Sequence, residues 1–314
     1  MNEFELIGEI TGHFPQQPDV LLGPGDDAAQ LLVRHGSVLA STDILVEGVH
    51  FRQDWTTPYE LGRRAAAQNF ADITAMGCNP RALLVAVAAP RQQPAQWFTE
   101  LARGLQEECT LVGASVIGGD LSAGESIVVS VTVLGDPCGG EPIRRGGAQV
   151  GDVVAVAGRL GWSATGLLAL QQGVDVDPAL LSAYRRPQPP YAAGPAARAA
   201  RATAMIDVSD GLLADAGHIA DASAVTIDLD SAQLQPDELV RLASQQLAAD
   251  PLDAVLSGGE DHAMLATFPR GRQGSGQVPR PTFRVIGRVI PRGTHAVLVD
   301  GTAHRGKQGH DHFD

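Results

Sequence analysis

Apolar and polar positions follow two different periods along this chain. Between Pro58 and Gly77 the residues Leu61, Ala65, Phe70, Ile73 and Met76 recur at helical spacing. They predict a helix with Pro58 near its start and Gly77 at its stop. Asn69 and Asp72 lie three apart on it and share a face. Pro94 to Gly113 and Leu212 to Ala222 predict further helices, and Gly161 begins another. β-Branched and aliphatic runs predict strands at Ala82–Ala89, Ser115–Ile117, Ile127–Leu134, Asp152–Ala157, Val225–Leu229 and Phe283–Ile290. Ser37–Ala40 predicts a short strand, and Met205-Ile206 leads into an acidic cluster. Strands alternating with helices indicate α/β or α+β layers. The turn-rich stretch from Gly135 to Gly151 predicts a boundary, giving a domain over 1–137, a linker over 138–150 and a domain over 151–314. Arg186-Pro187-Gln188-Pro189-Pro190 predicts an extended internal loop, and Arg270–Pro281 a mobile one.

Composition narrows the function classes. At 314 residues and 44% hydrophobic, the chain is long enough for two domains with real cores. A net charge of −13 with no basic stripe argues against nucleic acid or an anionic membrane as partner. An acidic N-terminus, Met1-Asn2-Glu3-Phe4-Glu5, is unlike a signal peptide, and no apolar run nears the roughly 20 residues that span a bilayer. Cys78, Cys109 and Cys138 are odd in number without C-x-x-C spacing, which predicts a reduced, cytoplasmic protein. Lys307 is the only lysine. That excludes a P-loop, a protein-kinase lysine on its third strand and any well-placed Schiff-base lysine.

The candidate chemistry lies in aspartates that follow small residues: Gly25-Asp26-Asp27, Ser41-Thr42-Asp43, Gly118-Gly119-Asp120 and Asp207-Val208-Ser209-Asp210-Gly211, with Asp72 from the first predicted helix. Two carboxylates about 4 Å apart repel by roughly 4 kcal/mol at an effective dielectric near 20. A converging set therefore requires a positive partner, and oxygen-only ligands suit Mg²⁺ with a phosphate-bearing substrate. Each piece has a plainer reading as well. Gly-Asp pairs are common turn residues, Ser-Thr-Asp caps turns and helices, and Asp210 is placed to cap the helix from Leu212. The glycines before Asp120 open the backbone to a phosphate. Asp207 and Ser209 share a side if their strand continues. Arg144 and Arg145 offer guanidinium forks for phosphate or an exposed polar loop. Gly161-Trp162-Ser163-Ala164-Thr165-Gly166 misses the nucleophile elbow by one residue and predicts a helix start near phosphate. His50 alone reads as structural, Ser257-Gly258-Gly259-Glu260-Asp261-His262 as a turn, and the histidines of the last five residues as a frayed tail.

Together these motifs resemble the thiamine-monophosphate kinases. The resemblance runs from Phe4-Glu5-Leu6-Ile7 to His312-Phe313, with Ser41 through Phe51 and Asp207 through Leu212 as its specific words; Gly25-Asp26-Asp27, Ala71-Asp72-Ile73, Gly118-Gly119-Asp120 and Ser257 through Asp261 support them. It implies the two-domain fold of aminoimidazole ribonucleotide synthetase: an N-terminal α/β domain that dimerises through its sheet, a C-terminal α+β domain, and ATP in a cleft lined by the aspartates. It also implies that Asp27 (rather than Asp26), Ser41, Thr42, Asp43, Asp72, Asp120 and Asp207 hold several Mg²⁺ ions, with Asp210 holding a further one. Gly119, Asp120, Arg145 and Ser209 would contact ATP, and His50, Glu260 and the position of His310 the thiamine phosphate. The number of ions and a monovalent cation requirement stay open.

Two positions depart from the family pattern. His310 stands where an aromatic residue is common, and Trp162 where many relatives carry aspartate. Both bear on substrate contacts rather than on reaction type. The sister families fit less well. Selenophosphate synthetases carry a Cys or Sec near the N-terminus, and no cysteine precedes Cys78 here. The hydrogenase-maturation relative ends in cysteine, whereas this chain ends His312-Phe313-Asp314. Aminoimidazole ribonucleotide synthetase lacks the Ser41–Phe51 run. A non-catalytic binder would have lost an Mg²⁺ ligand, and none is lost; a Ca²⁺-stabilised structural protein of the EF-hand kind lacks its spacing. The resemblance thus implies direct transfer of a phosphoryl group from ATP to thiamine monophosphate, the last step towards thiamine diphosphate, without a covalent enzyme intermediate.

Overall fold

Four strand-forming runs in the first half of the chain pair into one sheet. In the computed structural model, which describes residues 3–25, 28–270, 278–304, 306 and 309, helix α1 (Glu3–Thr11) and the paired strands β1 (Val20–Leu22) and β2 (Gln30–Leu31) come first. Then follow β3 (Leu39–Val46), α2 (Pro58–Ala75), β4 (Asn79–Ala89), α3 (Ala95–Val112), β5 (Ser115–Ala123) and β6 (Val128–Asp136). The sheet order is β3-β6-β4-β5. Only β4 and β5 run parallel, joined by α3 as a crossover of this kind requires.

One face of this sheet is covered by helix. Ile73 of α2 lies against Gly135 of β6, and α3 packs on β4 and β5. Val129, Val131 and Val133 alternate inward and are buried. The opposite face carries Ala40, Thr42, Ile44, Leu84 and Ala86, all exposed, and the register aligns them through Ser130 and Thr132 of β6. Two glycines let α2 and α3 meet at backbone distance. A Cβ on Gly62 would overlap the Leu101 carbonyl oxygen, and one on Gly104 the Tyr59 carbonyl oxygen.

Contacts assign Thr74–Gly77 and the chain from Pro142 onward to a second unit, leaving the segments up to Ile73 and Cys78–Glu141 as the first. The second unit contains β7 (Val153–Ala157), α4 (Trp162–Gln172), α5 (Pro178–Arg185), α6 (Ala193–Ala199), β8 (Ala204–Val208), α7 (Leu212–Ala222), β9 (Val225–Leu229), α8 (Glu238–Gln246), α9 (Pro251–Ser257), β10 (Ala263–Phe268), β11 (Arg284–Pro291) and β12 (Val297–Val299). Its sheet order is β12-β9-β11-β7-β10-β8, antiparallel except for β12 with β9. Leu212, Leu213, Ala216, Ile219 and Ala220 of α7 pack with Ile206, Val208, Ile227 and Leu265 to form its main core. Trp162, Leu180 and Val240 centre a second cluster of α4, α5 and α8. The two halves thus have α/β and α+β layering, as the sequence indicates. The helices α5, α8 and α9 go beyond the sequence reading. Asp177, Asp237 and Asp250 cap them through side-chain bonds to the N–H groups of Ala179, Leu239 and Leu252. Among the described residues, no helix is long and apolar enough to cross a membrane.

The α2–α3 crossing yields a stability test. Gly104→Ala forces two backbones apart, so thermal denaturation should reveal a loss of roughly 1–3 kcal/mol or more. An unchanged melting temperature would show that the crossing has slack.

Candidate active site

Ser41, Thr42 and Asp43 sit inside β3, not after it. The strand was expected to end at Ala40; it continues because Ile44-Leu45-Val46 are strand formers and the register with β6 runs unbroken from Leu39 to Val46. A strand's two-residue period then splits the triplet. Ser41 and Asp43 share the side of α2, where the Ser41 hydroxyl donates to Asp72 Oδ2 at 2.6 Å. Thr42 faces the other way, with its hydroxyl 3.1 Å from the Val131 carbonyl oxygen and 3.0 Å from Thr132 Oγ1.

The turn after β3 orders His50. Glu47 accepts from the Gln53 side chain at 2.7 Å and from the Ile127 N–H at 3.2 Å. The Val46 N–H donates to His50 Nδ1 at 3.0 Å. In the neutral ring the proton is therefore on Nε2, which is a donor suited to a phosphate oxygen.

Gly118-Gly119-Asp120 likewise lies within β5, where a strand ending at Ile117 was expected. A register shift between Leu83 and Leu84 accommodates it, and a Cβ on Gly119 would overlap the Val85 carbonyl oxygen. Asp120 is exposed and pairs in register with Ala86 on the open face. Strands β3 and β5 are opposite edges of the sheet. Three interstrand spacings, about 14 Å, separate their backbones. One chain therefore does not bring Asp120 to Asp43. Asp26 and Asp27 lie outside the described residues.

In the second unit two loops distant in sequence lock together. Strand β8 ends at Val208, so the condition on which Asp207 and Ser209 would share a side is not met. The Glu260 N–H donates to the Ser209 carbonyl oxygen at 2.7 Å, and the His262 N–H to that of Val208 at 2.9 Å. A Cβ on Gly259 would lie 2.5 Å from the Ser209 oxygen, and one on Gly211 2.7 Å from that of Ser257. Glu260 and His262 both adopt left-handed backbone, at φ 68° and 49°, a conformation that is costly outside glycine. Asp207, Ser209, Asp210 and Glu260 are thereby gathered in one loop pair.

Two buried carboxylates organise these loops, and sequence reasoning missed both. Asp215 Oδ2 accepts from the N–H groups of Ser209, Asp210 and Gly211 at 3.0, 3.1 and 3.2 Å. Burial, with the charges of Asp207 and Asp210 adding to it, pushes its carboxyl up to about 7 against those hydrogen bonds. Asp210 does not cap α7: the N-cap is Gly211, without a side-chain bond. Asp261 accepts from the N–H groups of Gly161 and Ser163 at 2.5 and 2.9 Å. The helix start expected near phosphate thus holds the protein's own carboxylate, which burial pushes up to about 7. An acid in the first turn of α7 was the available signal for Asp215. No spacing announces Asp261, which is about a hundred residues from its partners.

The remaining candidates are spread over the second unit. Arg145 is exposed, with its carbonyl oxygen accepting from Ser223 at 3.3 Å. Trp162 is buried under the Arg159 guanidinium, 4.0 Å from its ring centre. Gly309 lies against Ala214 and the Asp210 carbonyl oxygen, and His310 falls outside the described residues.

Asp261 makes stability depend on pH. Its folded value of about 7 exceeds the ordinary 3.9 or so, so the folded form binds the extra proton. Its stabilising contribution is complete below about pH 4 and is lost as pH rises to about 7. In metal-free protein, Asp261→Asn should flatten the fall of melting temperature across that window; an unchanged slope would contradict the assignment.

Comparison with known proteins identifies the family. The family model described as AIR synthase related protein, N-terminal domain, matches residues 25–136, and its C-terminal counterpart residues 149–300. The thiamine-monophosphate kinase of Mycobacterium tuberculosis (strain CDC 1551 / Oshkosh) is 46% identical over 314 residues, covering 100% of this chain and 92% of the relative. The crystal structure of thiamine-monophosphate kinase from Stenotrophomonas maltophilia K279a superposes with a TM-score of 0.83 at 32% identity, over 97% of this chain and 98% of that one. AaThiL complexed with AMPPCP and TMP superposes at 0.80 with 30% identity, over 98% and 97%. The chain belongs to the thiamine-monophosphate kinase family, built from the two AIR synthase related domains.

Proposed function

We propose that this protein transfers the γ-phosphoryl group of ATP to the phosphate of thiamine monophosphate, giving thiamine diphosphate and ADP. The observation that carries the reading is the Ser41–Asp72 bond, which sets an all-oxygen donor group beside Asp43 in a chain 46% identical to a kinase of that name. The structural neighbour AaThiL, complexed with AMPPCP and TMP, supports the same substrate pair.

The donors fit Mg²⁺. Asp27, Ser41, Thr42, Asp43, Asp72 and Asp120 in the first unit, and Asp207 and Asp210 in the second, offer only oxygen, the preference of a hard divalent ion. Bound there, Mg²⁺ neutralises the carboxylates and the phosphates they face. Gly119, Asp120, Arg145 and Ser209 are assigned to ATP, and Glu260 and the position of His310 to thiamine phosphate. His50 donates from Nε2 to the acceptor phosphate. The acceptor is anionic at neutral pH. One of its oxygens forms the new bond to the γ-phosphorus as the bond to ADP breaks, and no strong general base is required. The assignment places the protein at the last step of thiamine diphosphate formation. Cys78, Cys109 and Cys138 carry no disulfide, which suits a reducing cytoplasm.

The working form is a homodimer joined through the first-unit sheets. The exposed Ile44 and Leu84 on the open face support this, and so does the distance between β3 and β5 within one chain. In the dimer, Asp120 of one chain would meet the β3 edge of the other, where Thr42 shares the open face and Asp43 is the next residue, turned towards α2.

Incubation with ATP, Mg²⁺ and thiamine monophosphate, followed by resolution of the thiamine esters, tests the reaction. Failure to form the diphosphate would falsify it. Asp43→Asn should lower turnover at least about 100-fold with an unchanged circular dichroism spectrum. Mixing and reassembling the inactive Asp43→Asn and Asp120→Asn proteins should restore about a quarter of normal activity, since half the dimers are mixed and each has one intact site. No recovery after verified chain exchange would argue for sites built within single chains.

A further inference from the structure

We propose that His262 is a positioning residue that limits Asp207 to ligating a divalent cation through one oxygen, and so favours a small cation of the Mg²⁺ type over Ca²⁺. The inference rests on the Mg²⁺ reading of Asp207 above and adds a residue to which the motifs assign no role. His262 Nδ1 lies 3.0 Å from Asp207 Oδ2, with Asp207 4% and His262 7% exposed. A metal-binding carboxylate is ionised and can only accept, so Nδ1 carries the hydrogen of this bond. Water does not compete for a contact this buried, which strengthens it.

The pair is held from both sides. Asp207 belongs to β8, hydrogen-bonded in register opposite Met264 of β10. His262 is the residue before β10, and its N–H is fixed on the Val208 carbonyl oxygen. Its left-handed backbone carries a conformational cost, sustained only because the surrounding loop is over-determined. The imidazole is therefore not free to leave Oδ2, and Oδ1 is the oxygen left to a cation.

Carboxylate denticity is where Mg²⁺ and Ca²⁺ differ. Ca²⁺ accepts six to eight oxygens and takes carboxylates in one- or two-oxygen mode; Mg²⁺ requires octahedral geometry and binds through one or two carboxylates plus substrate phosphates. A donor on one carboxylate oxygen removes the two-oxygen mode. Partners of this kind typically change metal affinity by roughly 10–100-fold when lost.

The test is metal binding by the full chain, stripped of metal and free of nucleotide, with Mg²⁺ and Ca²⁺ competing against Mn²⁺ followed by electron paramagnetic resonance. His262→Phe keeps a ring and removes the donor. It should reduce the preference for Mg²⁺ over Ca²⁺ about tenfold or more. His262→Asn returns an N–H donor near the same place and should stay within about threefold of the original preference. A merely structural role would lower the melting temperature of both variants and leave the ratio alone. His262→Leu replaces the Phe variant if that fails to fold. A ratio unchanged without the donor, or shifted equally by Phe and Asn, overturns the proposal. Asp207→Asn separates the two readings. If it abolishes binding while His262→Phe leaves the ratio intact, only the role of His262 falls. If it leaves binding unchanged, the Mg²⁺ assignment of Asp207 falls and the inference with it.

Discussion

Negative charge held close together needs an answer at short range, and the two interlocked loops of the second unit follow from that constraint. Asp207, Asp210 and Asp215 all lie within nine residues of chain, and the first two raise the proton affinity of the third. At about 4 Å such pairs repel by roughly 4 kcal/mol. The fold answers differently for each. Three backbone N–H groups converge on Asp215, two on Asp261, and an imidazole meets Asp207. The carboxylates answered by backbone serve to shape loops. The proposed Mg²⁺ reading falls to Asp210 and to the other oxygen of Asp207, which is itself buried.

Backbone can answer backbone only if side chains stay out of the way, which explains the glycines. Gly211 and Gly259 allow the Asp207 and Glu260 loops to interlock at distances that a Cβ would prevent. The left-handed Glu260 and His262 cost of order 1–3 kcal/mol each. The hydrogen bonds from their N–H groups to Ser209 and Val208, together with the capped Asp261 between them, offset that cost. Strain and electrostatics are therefore coupled: the same turn that distorts Glu260 delivers Asp261 to the α4 N-terminus.

Regular elements with strong periodicity were legible in the sequence. The helix from Pro58, the strands β4, β6 and β9 and helix α7 all follow the apolar pattern closely. Strand ends were not, for a physical reason. Ser41-Thr42-Asp43 and Gly118-Gly119-Asp120 look like terminators, yet edge strands need only one neighbour and tolerate polar and glycine residues that an inner strand would not. The motif residues Ser41, Asp72, Asp207 and Ser209 were readable because each stands in a distinctive word. Asp261 and His262 act across contacts formed only when distant loops dock, and no local pattern encodes such a contact; Asp215 bonds N–H groups four to six residues away, and its place in the first turn of α7 was a local signal. The helix caps Asp177 and Asp250, each followed by proline, were visible signals left unread.

The edge positions of β3 and β5 connect two observations that otherwise look unrelated. A sheet face lined by Ile44 and Leu84 is an unfavourable surface to leave in water, since each is partly exposed and forgoes part of the roughly 1.5–3 kcal/mol that full burial of an aliphatic side chain contributes. Asp43 and Asp120, meanwhile, are separated by the width of the sheet they share. Rearranging one chain cannot cure the second problem, because the register of β6 and β4 fixes both edges. In the proposed dimer, packing the open faces of two copies would relieve the first and, with twisted sheets related by a two-fold axis, would bring the β5 edge of each near the β3 edge of the other. In that proposed dimer, burial of an apolar face and assembly of a divided set of carboxylates would be the same event, and the charge so concentrated is the charge Mg²⁺–ATP would neutralise.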